Sequence, residues 1–317
     1  MKQTTIFQTV TDYSRIKNTS TKGKSAPSIP YMGNKQAIAN QIVNCLPKCE
    51  KFLDACCGGG SIGYTMLVFG IANHVTMNDL YKPLIDLHVG ILNKKIDFEN
   101  LEWCSRDRFK LAINRCDNGN YTIEDVIFKY CYSFGNNGIN YLFSKELEPF
   151  KKQLHDIVCG KAISERRASL ANFIRLKINS LDVQRLQQLE QLEQLGRLER
   201  LEQLEQLGRL GRLEFTNNDI FEIDYSQYDC VYFDIPYENT HGYNDGKKTT
   251  FNHDKFWDFF SKLPELAFAS SYVARDYITE VASFEKKSLF NNNQEKKKIV
   301  TEKLFCNNTN YQVNIYE

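Results

Sequence analysis

FLDACCGGGSIG, residues 52–63, leaves few options for what surrounds it. An apolar stretch ends in an acid, Asp54. Gly58, Gly59 and Gly60 then allow tight backbone turns and a close ligand approach, and YTMLVFG continues as a predicted helix. Strand, glycine turn and helix together form the opening unit of an open α/β sheet. Such sheets keep their chemistry at the carboxyl ends of the strands.

The turn alone suits a dinucleotide, a phosphate or a nucleoside such as S-adenosylmethionine. Its spacing is neither the G-x-G-x-x-G dinucleotide pattern nor the G-x-x-x-x-G-K-[ST] phosphate loop. An acid ahead of the glycines repels a pyrophosphate and attracts the ammonium of a methionine moiety. HVTMND predicts a second strand that again ends in an acid, Asp79, and YKPLIDLHVGIL a second helix. An acid at this place can accept hydrogen bonds from ribose hydroxyls or serve as a helix cap.

Alternating strand and helix signals point to a parallel sheet with crossover helices. The pattern Gln36–Leu46 is helical. Residues 96–180 read as a mostly helical insertion, interrupted by SFGNNGIN. Strand character returns in LEFTNND, YDCVYFDIPY, LAFASSYV and KLFCNNTNYQVNIY. The expected organisation is an arm over 1–29 that is basic and flexible, then a discontinuous sheet domain over 30–95 and 214–317. The insertion lies within it, followed by a repeat segment over 181–213. In that segment every third residue from Leu186 to Leu213 is leucine. A period of three winds round an α-helix and holds no fixed face, so a helix with a wandering apolar stripe, a solenoid and a floppy insertion all stay open.

The formal charge is +1, but basic residues cluster. Residues 1–48 hold seven Lys and Arg against Asp12 alone, and a second basic stretch runs from Lys145 to Lys177. Such patches are solvated faces or phosphate-backbone contacts. The ten cysteines lack Cys-x-x-Cys or histidine partners at zinc spacing and read as free thiols, with no metal expected. No apolar run approaches the roughly 20 residues that span a membrane, and the first residues lack a secretory pattern. A cytoplasmic protein with no membrane partner is expected.

FDIPY, residues 233–237, ends another predicted strand. Asp234 offers a carboxylate acceptor and the Ile235 carbonyl a second. Pro236 fixes the backbone, and Tyr237 presents an aromatic face. An exocyclic amine has two N–H bonds to place, and a base taken out of a duplex needs a ring to stack on. The plainer alternative is a turn with a capping Asp.

In order along the chain stand PYMGNK at 30–35, DACCGGGS at 54–61, NDL at 78–80, an insertion with SFGNNGIN, NNDIF at 217–221 and DIPY at 234–237. This series resembles the adenine-specific DNA methyltransferases of the Dam-like class. Their motifs are Y-x-G-x-K, [ED]-P-F-x-G-x-G-S, N-D, a target-recognition insertion, D-F and D-P-P-Y. SFGNNGINYLFSKELEPF, the leucine repeat and VTEKLF resemble bacterial or phage adenine methylases that carry such repeats. The resemblance implies a Rossmann-like S-adenosylmethionine-dependent methyltransferase sheet with a helical target-recognition insertion.

It also implies roles for single residues. Tyr31 and Lys35 would lie against the methionine end of S-adenosylmethionine, Asp54 on its amino group, and the backbone of Gly58 and Gly60 beneath it. Asp79 would hold the ribose, and Asp219 and Ile220 the cofactor's adenine. Asp234 and Ile235 would bind the target amine, with Pro236 setting the turn and Tyr237 stacking on the flipped adenine. Asn136, Asn137, Asn140, Lys145, Lys151 and Lys152 would face double-stranded DNA. The implied enzyme is a monomer, and a restriction endonuclease acting at the same site is the kind of partner such enzymes work with. This chain departs from the family motifs at Ala55-Cys56, Ile220 and Ile235. An amino methyltransferase for cytosine or RNA, and a decayed DNA-binding relative, are the rival functions.

Overall fold

The computed structural model describes residues 25–93, 95–97, 100–145, 148–149, 152, 155, 212–238, 251–287 and 299–311. Lys151 and all of the leucine repeat before Arg212 lie outside these residues. Seven strands form one sheet: β1 (Cys49–Asp54), β2 (Ala72–Asn78), β3 (Leu213–Thr216), β4 (Cys230–Asp234), β5 (Leu266–Ser271), β6 (Thr279–Lys287) and β7 (Ile299–Cys306). Their order is β3-β2-β1-β4-β5-β7-β6. The first five are parallel, and β7 runs antiparallel to both β5 and β6. The mixed sheet with its helices is Rossmann-like.

Helices α1 (Ala39–Val43), α2 (Ser61–Val68), α3 (Lys82–Leu92), α4 (Arg106–Asp117), α5 (Ile123–Cys131) and α6 (His253–Lys262) complete the regular structure among the described residues. The period-2 geometry of a strand sends alternate side chains to opposite faces. Along β4, Cys230 and Tyr232 join the core on one face, while Val231 and Phe233 join Phe256, Trp257 and Phe260 of α6 on the other. A strand covered on both sides reads as an unbroken apolar run, which is why CVYF shows no alternation.

Several elements differ from the sequence reading, among them β7, which ends at Cys306 and does not run on through residues 307–311. Of the helical pattern 36–46 only Ala39–Val43 forms α-helix, because tighter i→i+3 bonds such as Cys45 N–H to the Ile42 carbonyl end it ahead of Pro47. Strand β6 and helix α6 were not expected. Between β2 and β3 in sequence, α4 begins at a Ser105 cap, and α5 at a reciprocal capping box between Thr122 and Asp125.

Candidate active site

The strand order reverses between β1 and β4, since β2 and β3 lie to one side of β1 and β4 to the other. Ligands bind at such a switch point, beyond the carboxyl ends of the strands. Asp54 pairs in register with Tyr232, and the ladder continues through Ala55 N–H to the Tyr232 carbonyl at 2.8 Å. Asp54 and Asp234 thus end neighbouring strands at this crevice.

Asp54 is buried. Its Oδ2 accepts the Gly63 N–H of α2 at 2.9 Å, whereas Oδ1 is enclosed with no hydrogen-bond partner. Burial pushes this carboxyl up to about 8, with further upward push from Asp234 and Asp79. The glycine turn leaves no space for side chains. Gly58 and Gly60 have positive φ, and a Cβ on Gly59 would stand 2.3 Å from the Ile29 carbonyl oxygen. The Ile29 N–H donates to the Gly59 carbonyl at 2.9 Å, so the described end of the N-terminal arm, residues 25–29, packs on the turn. Tyr31 lies against Gly58 and meets Tyr130 of α5 with ring centroids 5.3 Å apart.

Asp79 joins the turn to α3. Its Oδ2 accepts the Gly58 N–H and its Oδ1 the Tyr81 N–H, each at 2.9 Å. The N-cap of α3 is Tyr81 and not Asp79, and a carboxylate held by two backbone N–H groups still has lone pairs to offer. Asp219 likewise accepts the Phe221 N–H at 3.0 Å, and Ile220 is buried beside it.

Two residues to which sequence reasoning gave no role hold this edge together. Asn78, fully buried, donates to the carbonyls of Ala55 and Asn218 and accepts from Thr216 and the Asn218 N–H, tying the ends of β1, β2 and β3. Its place before Asp79 was the available signal. His88 of α3 donates from Nε2 to the Gly58 carbonyl at 2.9 Å and accepts the Tyr64 hydroxyl at Nδ1, 2.7 Å. Burial lowers this imidazole to about 4, so it stays neutral at neutral pH.

At the end of β4 the arrangement is ionic. The Lys35 ammonium lies 2.6 Å from each oxygen of Asp234, 3.2 Å from the Gly33 carbonyl and 3.7 Å from Glu302 of β7. Sequence reasoning assigned Lys35 to the methionine end of the cofactor; its ammonium rests on the DIPY acid. The Tyr237 hydroxyl donates to Glu302, and its ring meets Tyr272 at 4.5 Å and the Lys35 ammonium at 4.9 Å. Burial, together with Asp234 and Glu302, pushes the Tyr237 phenol well above its ordinary value, so the hydroxyl keeps its proton. His253 Nε2 and the Pro236 carbonyl are 2.7 Å apart, which fixes the turn after Ile235. Ile235 itself is buried.

Cys56 and Cys57 are free thiols pushed well above their ordinary value by burial, which leaves them poor nucleophiles. Among the described residues no group of three or more His, Cys, Asp or Glu is placed to hold a metal. None of their helices is long and apolar enough to cross a membrane.

The asparagine loop follows α5. Asn136 has φ +57°, and Asn137 Oδ1 accepts the N–H groups of Ile139 and Asn140. Asn137 therefore builds the turn with part of its amide. Asn140, Lys145 and Lys152 are exposed.

The orphaned Asp54 Oδ1, the glycine turn that a Cβ would fill and the Asp79 carboxylate over it suit the ammonium, chain and ribose of S-adenosylmethionine. Residues 31–127, from the segment over the glycine turn through most of α5, match the family model of the D12 class N6 adenine-specific DNA methyltransferases. Over residues 31–127, on this fold, the chain is similar to the S-adenosylmethionine-dependent adenine DNA methyltransferases of the Dam-like family.

Proposed function

We propose that this site methylates the 6-amino group of an adenine swung out of double-stranded DNA, with Asp54 and Asp234 dividing the work. S-adenosylmethionine, when bound, supplies a methyl group activated by its sulfonium. Asp54 holds the cofactor's ammonium, Asp79 its ribose hydroxyls, and Asp219 with Ile220 its adenine. Tyr31 and the backbone of Gly58 and Gly60 line its path. Asp234 and the Ile235 carbonyl accept the two N–H bonds of the target amine. They orient it and offset the positive charge that develops on nitrogen. Asp234 retains 21% of its side-chain exposure, enough to receive the amine's proton and pass it to water. Tyr237 stacks on the base, with Pro236 fixing its approach.

The observation that carries this reading is the pair of acids at adjacent strand ends, one with an unsatisfied buried oxygen and one still open to solvent. The residues 96–180 act as the recognition insertion on a sheet domain formed by 30–95 and 214–317. Asn136, Asn137, Asn140, Lys145, Lys151 and Lys152 face the DNA, and the protein works as a monomer in the cytoplasm of a bacterial or phage-infected cell.

The test uses tritiated S-adenosylmethionine and adenine-unmethylated duplex DNA, digested to nucleosides after reaction. The expected label is in N6-methyladenine for the native protein and absent for Asp234→Ala. Label in cytosine, or undiminished label in the variant, contradicts the assignment.

A further inference from the structure

Glu302 is fully buried at the catalytic edge, and the mechanism above gives it no task. It arrives there because β7 is antiparallel: Lys303 pairs with Ser271 at the carboxyl end of β5, so the residue before it reaches the crevice beyond the parallel strands. A carboxylate is costly to bury unless its hydrogen bonds and charge are answered. Here the Tyr237 hydroxyl donates to Glu302 and the Lys35 ammonium stands 3.7 Å away. That same ammonium holds both oxygens of Asp234 at 2.6 Å.

This geometry raises an electrostatic difficulty. An amine that becomes cationic during transfer gains from a nearby carboxylate and loses from a nearby ammonium. Lys35 acting on Asp234 alone would cancel much of the charge that the amine requires. We propose that Glu302 is a positioning residue of methyl transfer: it shares the Lys35 ammonium with Asp234, leaving Asp234 able to hold the target amine, and it fixes the Tyr237 ring through the hydroxyl. The inference rests on the assignment of Asp234 to that amine.

The two tasks separate by substitution. Glu302→Gln keeps an acceptor for Tyr237 and removes the charge. With S-adenosylmethionine and duplex DNA both saturating, its single-turnover transfer should slow by about 10- to 100-fold. Its cofactor affinity by calorimetry should stay within about threefold of native, since the charge acts on the amine and not on the cofactor. The charge argument further requires that Glu302 cease to matter once Lys35 is neutral. Lys35→Met and Lys35→Met/Glu302→Gln should therefore transfer at equal rates. This comparison stands even if Glu302→Gln alone does not fold.

Native transfer by Glu302→Gln overturns the inference, as does a double variant slower than Lys35→Met by about tenfold or more. Asp234→Ala distinguishes the two levels. If it transfers normally, the reading of the site fails. If it is inactive while Glu302→Gln transfers at the native rate, only the role of Glu302 fails.

Discussion

Burial raises the Asp54 carboxyl to about 8, against an ordinary value of 3.8, because one oxygen is enclosed without a partner. The folded chain therefore binds more protons at this site than the unfolded chain between those two values. The stability associated with the protonated group is present below the unfolded value and is lost as pH rises through the folded one. Asp54→Asn should raise the melting temperature of the cofactor-free protein at pH 8.5 by about 5 °C, and the gain should shrink toward pH 5. A uniform gain at all pH values would contradict the assignment. The role proposed for Asp54 would account for the retained acid: at pH 6.5 a cofactor ammonium would displace the carboxyl proton. Calorimetry in buffers of different ionisation enthalpy should then show proton release on binding, which Asp54→Asn abolishes.

The glycine turn shows at the element scale how little its function depends on any single strand. Gly58, Gly59 and Gly60 link β1 to α2, but the turn is also fastened by Ile29 from the N-terminal segment, Asn78 and Asp79 from β2 and its end, and His88 from α3. Gly59→Ala would drive a Cβ to 2.3 Å from the Ile29 carbonyl, a backbone atom that cannot rotate away. The expected cost is about 2–3 kcal/mol in urea unfolding, together with weaker cofactor binding. A change below about 0.5 kcal/mol would mean that the segment over the turn yields freely.

Much of this edge was legible in the sequence, because strands β1, β2 and β4 each carry an apolar run into an acid or an Asn-Asp pair, and glycines mark the sharp turn. Glu302 stands in VTEKLF, a segment of the resemblance, but its place at the site was not legible: it meets Lys35 only after β7 inserts antiparallel. Helix α6 was also missed, although Asn252 caps it and Phe256, Trp257 and Phe260 share its buried face. Its apolar residues crowd together in FWDFF, which obscures helical spacing.

Over the whole molecule, the sheet brings together residues far apart in sequence. Lys35 and Asp234 are separated by 199 positions. The switch point puts Asp54 at the end of β1 and Asp234 at the end of the neighbouring β4, so the two tasks proposed for them should fail separately. Isothermal titration of S-adenosylmethionine into the native protein, Asp54→Asn and Asp234→Asn tests this division most directly. The account predicts that Asp54→Asn loses binding by at least about 30-fold, near 2 kcal/mol, for a buried charge-assisted contact. Asp234→Asn should bind within about threefold of native while failing to methylate DNA. Native binding by Asp54→Asn, or equal loss in both variants, would contradict it.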